Sequence, residues 1–239
     1  MTTQPYISIV IPVYNEADNI ILLVEELVKV LAKLKKTWEI IFIDDGSTDL
    51  SLQVLEEASN KCEGLRVFGF EKNTGQTAAF AAGFRKALGE VIITMDGDMQ
   101  NEPKDIPRLI EKIGEYDLVC GWRQKRNDTI IRRISSRIAN FVRNILSGEN
   151  IRDVGCSLKA FRSEYAQKIK LYNGMHRFFP TLVKLEGGRV IEIPVNHRSR
   201  KHGKAKYTIG NRAFRSFLDL LAVCWMKKRN IIYSIKEYI

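Results

Sequence analysis

At 239 residues, with 45% hydrophobic and 28% charged positions, the chain can bury a full core and is not the composition of a disordered protein. A surplus of 38 Lys and Arg over 28 Asp and Glu gives a net charge of +10, which suits nucleic acid, an anionic membrane surface or phosphorylated small molecules, or belongs to a merely basic cytosolic protein. The cysteines (Cys62, Cys120, Cys156, Cys224) and histidines (His176, His197, His202) lack metal-ligand spacing, no secretion signal opens the chain, and no apolar run approaches the roughly 18 residues of a membrane span, so a protein that is soluble or lies on a membrane is expected.

The first half alternates strand and helix patterns. "YISIVIPVY" (6–14) is an apolar, β-branched run, and 17–36 has apolar residues at helical spacing with Asp18 or Asn19 placed as an N-cap. A strand is expected over "WEIIFIDDGS" (38–47), a helix around 49–61, a strand at "LRVFGF" (65–70) and an Ala-rich helix over 77–88. "EVIITMD" (90–96), a helix opened by Pro103 and "DLVCGW" (117–122) follow. Strands separated by helices of this length imply an α/β fold with a mainly parallel sheet and helices on both faces. In such sheets ligands bind beyond the carboxyl ends of the strands.

That rule gives the strand ends their weight. Asn15 and Glu16 follow the first strand, Asp44 and Asp45 the second, Asn73 to Gln76 the third, and Asp96 and Asp98 the fourth. Any one of these clusters is ordinary turn chemistry. Four on one edge are a site.

Past residue 123 the character changes. The segment 123–144 is rich in arginine, 152–161 reads as a strand entered through a glycine turn, 189–198 as a clearer strand, 198–212 as a basic loop, and 214–229 as a final helix. Without a repeat or a linker, the chain is read as one catalytic domain over 1–210 and a C-terminal segment over 211–239.

"DGD" followed by Gln100 can hold a hard divalent cation, because Mg²⁺ is commonly bound through one or two carboxylates plus the phosphates of a substrate. The competing reading is an acidic loop capping the helix after Pro103, for which Asp98 and Glu102 are well placed. For the basic segments, arginine's planar fork suits phosphate oxygens, against a solvated helix face.

"PVYNE" (12–16), "DDGSTD" (44–49), "NTGQTAAFAAG" (73–83) and "DGDMQNEP" (96–103), in this order at successive strand ends, resemble the family 2 inverting glycosyltransferases of GT-A fold. "GWR" (121–123), "RRISSRIAN" (132–140), "RDVGCSLKAFR" (152–162), "HRFFP" (176–180) and "EIPVNHRSRKHGKAKY" (192–207) resemble the branch that transfers sugars to polyprenyl phosphates, the dolichol-phosphate mannose synthases and undecaprenyl-phosphate glycosyltransferases. The resemblance covers roughly 6–225.

It implies donor-binding roles for Pro12, Tyr14, Glu16, Asp44, Asp45, Gly75, Gln76, Asp96, Gly97 and Asp98, and a Mg²⁺ or Mn²⁺ site at Asp96, Asp98 and Gln100. It also implies an acceptor-phosphate grip by Arg123, Arg133 (or its neighbour Arg132), Ser135, Arg200 and Lys206. Asp153 resembles the family's base or orienting carboxylate, so the expected catalytic group is Asp98, Asp153 and Arg123. The implied partners are a nucleotide-sugar donor (GDP-mannose or a UDP-sugar), a polyprenyl phosphate acceptor and an anionic membrane surface, with no nucleic acid. The implied place is the cytoplasmic face of the membrane. Two departures stand out: Ala205 occupies a position where the branch often has serine, and many relatives continue into transmembrane helices where this sequence ends at Ile239. The segment 214–229 is therefore read as an amphipathic helix at the membrane interface, against packing on the core or on a separate membrane subunit. The alternatives in function are a saccharide acceptor in cell-envelope polysaccharide synthesis, and a non-catalytic basic module that binds lipid or nucleic acid.

Overall fold

The computed structural model describes residues 4–124, 143–144, 148–199, 209–231 and 236, with the side chains of 209–215 outside the description. Its sheet is built from β1 (Ile7–Val13), β2 (Trp38–Asp44), β3 (Leu65–Gly69), β4 (Val91–Thr94), β5 (Leu118–Arg123), β6 (Lys159–Arg162) and β7 (Val190–Val195), in the order β3-β2-β1-β4-β6-β5-β7. β6 runs antiparallel to β4 and β5, and every other pairing is parallel. The carboxyl ends of β1, β2, β3, β4, β5 and β7 therefore share one edge, and β6 enters from it.

Helices cover both faces, as the strand–helix alternation predicts. On one face α1 (Ala17–Leu31), α2 (Ser51–Lys61) and α4 (Ile106–Ile110) bury Leu23, Leu27, Leu55 and Leu109 against Ile9 and Ile11. On the other, α3 (Gln76–Lys86), α5 (Ser163–Lys168), α6 (Phe179–Leu185) and α7 (Ile209–Arg229) enclose an aromatic cluster. There the rings of Phe80, Phe84, Phe161 and Phe179 lie 5.2–6.3 Å apart. Each such side chain contributes about 1.5–3 kcal/mol on burial. Gly83 sets the approach of α3 to the sheet, since a β-carbon there would stand 2.2 Å from Val10 Cγ1.

Local details differ from the sequence reading. The N-cap of α1 is Glu16, while Asp18 and Asn19 already lie in the first turn. Asn15 adopts φ +53, which turns the chain directly after β1, and Asn19 is buried and donates to Glu16 Oε2 at 2.7 Å. The helix expected to reach Lys36 ends at Leu31, tightens into a 3₁₀ turn over Ala32–Leu34 and stops at Lys35, whose φ is +51. Of the strand expected over 152–161, only its end becomes β6. Residues 152–158 stay at the edge as a loop because Arg123 holds them there; a β-carbon on Gly155 would meet Arg123 Nη2 at 2.9 Å.

α7 spans the expected boundary at 210. Leu220 and Val223 are buried in the aromatic-side core, whereas Phe217, Leu218, Leu221 and Trp225 are 45–65% exposed. Among the described residues no helix is long and apolar enough to cross a membrane.

Candidate active site at the carboxyl edge

The end of β2 knits the edge together. Asp44 accepts from Ser47 N at 3.1 Å and from the Ser47 hydroxyl, while Ser47 Oγ accepts from Asn15 N at 2.9 Å. Asn15 Oδ1 accepts from Thr48 N at 2.8 Å, and Ser51 Oγ accepts from Glu16 N at 2.8 Å. Gly46 is required in this turn: its φ is +68, and a β-carbon would fall 2.5 Å from the Lys72 carbonyl carbon.

Asp45 does a parallel job for the loop before α3. Its carboxylate accepts from Thr74 N at 2.7 Å, from Gly75 N at 2.9 Å and from Asn73 Nδ2 at 3.1 Å. Burial raises its pKa, the Thr74 and Gly75 amides pull it back down, and Asp44 adds repulsion. Asp44 and Asp45 are both buried, and their hydrogen bonds shape the loops along this edge.

Gly75, at φ +99, is the N-cap of α3, and Gln76 opens the helix. Gln76 Nε2 donates to Asp96 Oδ1 at 2.8 Å, linking the third and fourth polar clusters. Thr77 Oγ1 lies 2.6 Å from His176 Nδ1 and accepts from Gly174 N at 3.0 Å, which brings the "HRFFP" segment to the same edge. Tyr14 and Glu16 are part-exposed just beyond β1. Pro12 touches the acidic turn through its carbonyl, which would stand 3.3 Å from a β-carbon on Gly97. Glycine there lets the turn lie against β1.

The acidic turn is closed on itself. Asp96 N donates to Asn101 Oδ1 at 2.9 Å, Gln100 N donates to Asp98 Oδ1 at 3.1 Å, and Met99 sits at φ +64. Ser157 Oγ reaches Asn101 Oδ1 at 2.8 Å, and Arg198 N donates to the Gln100 carbonyl at 2.9 Å. Burial and then the Asp98 charge push the Asp96 carboxyl up to about 6, moderated by the Ser157 hydroxyl, Lys159 and Arg123. Two crowded carboxylates whose repulsion a cation relieves, on a turn held from behind, fit a hard divalent metal. Among the described residues no cluster of three or more His, Cys, Asp or Glu side chains forms a cage. The donor set therefore suits Mg²⁺ or Mn²⁺ completed by phosphate oxygens and water.

Across the edge, Arg123 and Asp153 form a two-pronged ion pair, with Nε to Oδ2 at 2.7 Å and Nη2 to Oδ1 at 2.8 Å; Arg123 N adds a third bond at 3.1 Å. Glu192 of β7 fixes this loop by accepting from Arg152 N at 2.8 Å and Asp153 N at 3.1 Å. Arg198 bridges Glu26, at 2.7 Å, and Glu102, which raises its pKa and ties β7 to α1. Sequence reasoning missed Ser157, Lys159, Asn101, Glu192 and the Arg198 bridge. The one available signal was Lys159, a lysine between Leu158 and Ala160 at the start of β6. Arg132, Arg133, Ser135, Arg200 and Lys206 lie outside the described residues.

Dodecaprenyl-phosphate galacturonate synthase of Rhizobium johnstonii is 40% identical over 228 residues, covering 93% of this chain and 67% of its own length. Undecaprenyl-phosphate 4-deoxy-4-formamido-L-arabinose transferase of Edwardsiella ictaluri is 39% identical over 208 residues, covering 86% and 64%. The chain thus spans about two thirds of these curated relatives. Among solved structures, glucosyl-3-phosphoglycerate synthase from Mycobacterium tuberculosis, in complex with Mn²⁺, UDP-glucose and phosphoglyceric acid, superposes with a TM-score of 0.71 at 18% identity, over 92% of this chain and 80% of that one. That likeness establishes the GT-A fold. The model of glycosyl transferase family 2 matches residues 8–170, and the chain belongs to that family.

Proposed function

We propose that the protein transfers a sugar from a nucleoside diphosphate to a polyprenyl phosphate, with inversion, at the cytoplasmic face of a membrane. The observation that carries this reading is the convergence on one edge of a loop frame built by Asp44 and Asp45, the Gln76–Asp96 link and the Asp96/Asp98 pair, opposite the Arg123–Asp153 pair. The names of the two relatives described above, both acting on a polyprenyl phosphate, support the acceptor class.

The roles follow from charge. The loop before α3 and the helix's N-terminus receive the diphosphate, with Tyr14, Glu16 and Gly75 lining the nucleotide side. A divalent cation held by Asp96 and Asp98, with Gln100 beside them, would neutralise charge on the departing diphosphate. An acceptor phosphate is already an anion, so its oxygen attacks the anomeric carbon directly. The new C–O bond forms as the bond to the diphosphate breaks, and the electron pair leaves with the nucleoside diphosphate. No proton has to move. Asp153 accordingly serves as the carboxylate that orients the Arg123 guanidinium toward the acceptor phosphate, and positioning with fixed charge supplies the catalysis.

The exposed stripe of α7, with Lys227, Lys228 and Arg229 at its end, is the surface offered to lipid. The test is direct. The protein is incubated with Mg²⁺ or Mn²⁺, labelled UDP- and GDP-sugars and a short polyprenyl phosphate, and label is followed into organic solvent. Transfer from one donor is expected. No transfer from any donor, together with no metal-dependent nucleotide binding, overturns the proposal.

A further inference from the structure

Lys159 is a lysine with 2% exposure at the start of β6, and nothing in the reaction above uses it. It pairs in register with Thr94 of β4 and Cys120 of β5, on the sheet face that carries α3. Its ammonium donates to the Cys156 carbonyl, three residues nearer the carboxyl edge, so it is directed toward the site. There it acts electrostatically on Asp96, and its field also reaches Cys120 and Cys156. Arg123 acts on Asp96 in the same sense.

Burying an ammonium is expensive unless carboxylates answer it, and a single carbonyl is a poor answer. An apolar residue of similar length would fill the same space in the strand. At this edge Lys159 and Arg123 both offset the charge of the crowded Asp96/Asp98 pair. With Lys159 apolar, one positive charge opposing an incoming divalent ion would be gone.

We propose that Lys159 is a built-in counter-charge that holds the acidic turn in its metal-free form and weakens its affinity for bare metal, so that the cation is bound stably only together with the nucleoside diphosphate. This is a positioning residue for metal and donor, and it rests on the function proposed above. A diphosphate brings its own negative charge and offsets the repulsion Lys159 imposes, which couples the two ligands.

The test reads Mn²⁺ binding by electron paramagnetic resonance at pH 8, for the protein with Mn²⁺ alone and with UDP or GDP added, together with Tm. In the wild type UDP or GDP is expected to tighten Mn²⁺ binding at least about tenfold. Lys159→Met should bind Mn²⁺ alone on the order of tenfold tighter than wild type, with most of the nucleotide coupling gone, while Lys159→Arg stays near wild type. A Lys159→Met protein with lowered Tm but unchanged Mn²⁺ affinity overturns the proposal and leaves the lysine a cap for the Cys156 carbonyl. Wild-type protein that binds Mn²⁺ equally well with and without nucleotide overturns it too, without needing any variant. Failure of Mn²⁺ to bind under every condition removes the metal-dependent function along with it.

Discussion

The two sides of the carboxyl edge use charge in opposite ways. On the β1–β4 side, carboxylates bond to neighbouring backbone amides and hydroxyls: Asp44 to Ser47, Asp45 to Thr74 and Gly75, Asp98 to Gln100. On the β5–β7 side, carboxylates answer guanidinium groups from distant elements: Asp153 and Arg123, Glu26 and Glu102 with Arg198. The first side is mostly built by short turns that the local sequence encodes, at Asp44 and Asp98, with Asp45 reaching a loop 29 residues on. The second is assembled by contacts between segments 30 to 172 residues apart. Charge counted along the chain therefore overstates what is free for substrate. Most acids on the first side build loops, and both Arg123 and Arg198 on the second are already held by carboxylates.

The sharpest test of the comparison is Asp98→Asn. Asp98 crowds a second carboxylate, Asp96, on the acidic turn, so removing its charge should abolish metal-dependent transfer while the turn survives on the Gln100 amide bond. A loss of about 10²–10³-fold in transfer rate is expected, with an unchanged circular dichroism spectrum. Full activity in this variant would take the metal away from the acidic turn.

The ion-pair side should respond in stability. The Arg123 and Asp153 side chains are 15% and 8% exposed, so Asp153→Leu alone strands a buried guanidinium and should cost about 3–5 kcal/mol by urea unfolding. Arg123→Met combined with Asp153→Leu should recover most of that loss, yet leave transfer impaired. A double variant with wild-type transfer would separate this pair from the acceptor phosphate.

α7 carries the same contrast within one helix. Val223 is fully buried, so Val223→Ala should cost about 1–3 kcal/mol and lower Tm. Trp225, 65% exposed, belongs to the outward stripe, and Trp225→Ser should leave Tm within error while weakening binding to anionic vesicles several-fold in a flotation assay. Equal vesicle binding by Trp225→Ser and wild type would remove the lipid from this face.

How much of this was legible in the sequence divides along the same line. β1 to β5 and the four polar strand ends could be read directly, because apolar runs and turn residues are local signals. The Gln76–Asp96 link follows from two strand ends sharing an edge. What the sequence hid is long-range or hinges on one dihedral. The antiparallel course of β6 depends on Arg123 anchoring the loop before it, the N-cap shift to Glu16 depends on Asn15 at positive φ, and the two-sided character of α7 shows only once Leu220 and Val223 are seen buried. Lys159 was visible as a letter and silent as a charge, since nothing in its own segment indicates which carboxylate it would meet.

The smallest expected effect is a dependence on pH, and its sign separates Asp96 from a carboxylate paired with a cation. Burial and Asp98 raise the folded-state value of Asp96 to about 6 from an ordinary 3.8. Between those values the native protein keeps a proton that the unfolded chain has lost, so this group makes the metal-free protein less stable as pH rises through the window. Above about pH 6 the carboxylate is ionised in both states and the loss is complete. Part-exposure of the side chain holds the effect to about 1 kcal/mol or less. Mn²⁺ with UDP or GDP should reverse it, because the bound cation favours the ionised form. The gain in Tm on adding both should therefore be large at pH 8 and nearly absent at pH 5. A gain of equal size at both values would mean that the cation does not sit on Asp96, and that the acidic turn serves the fold alone.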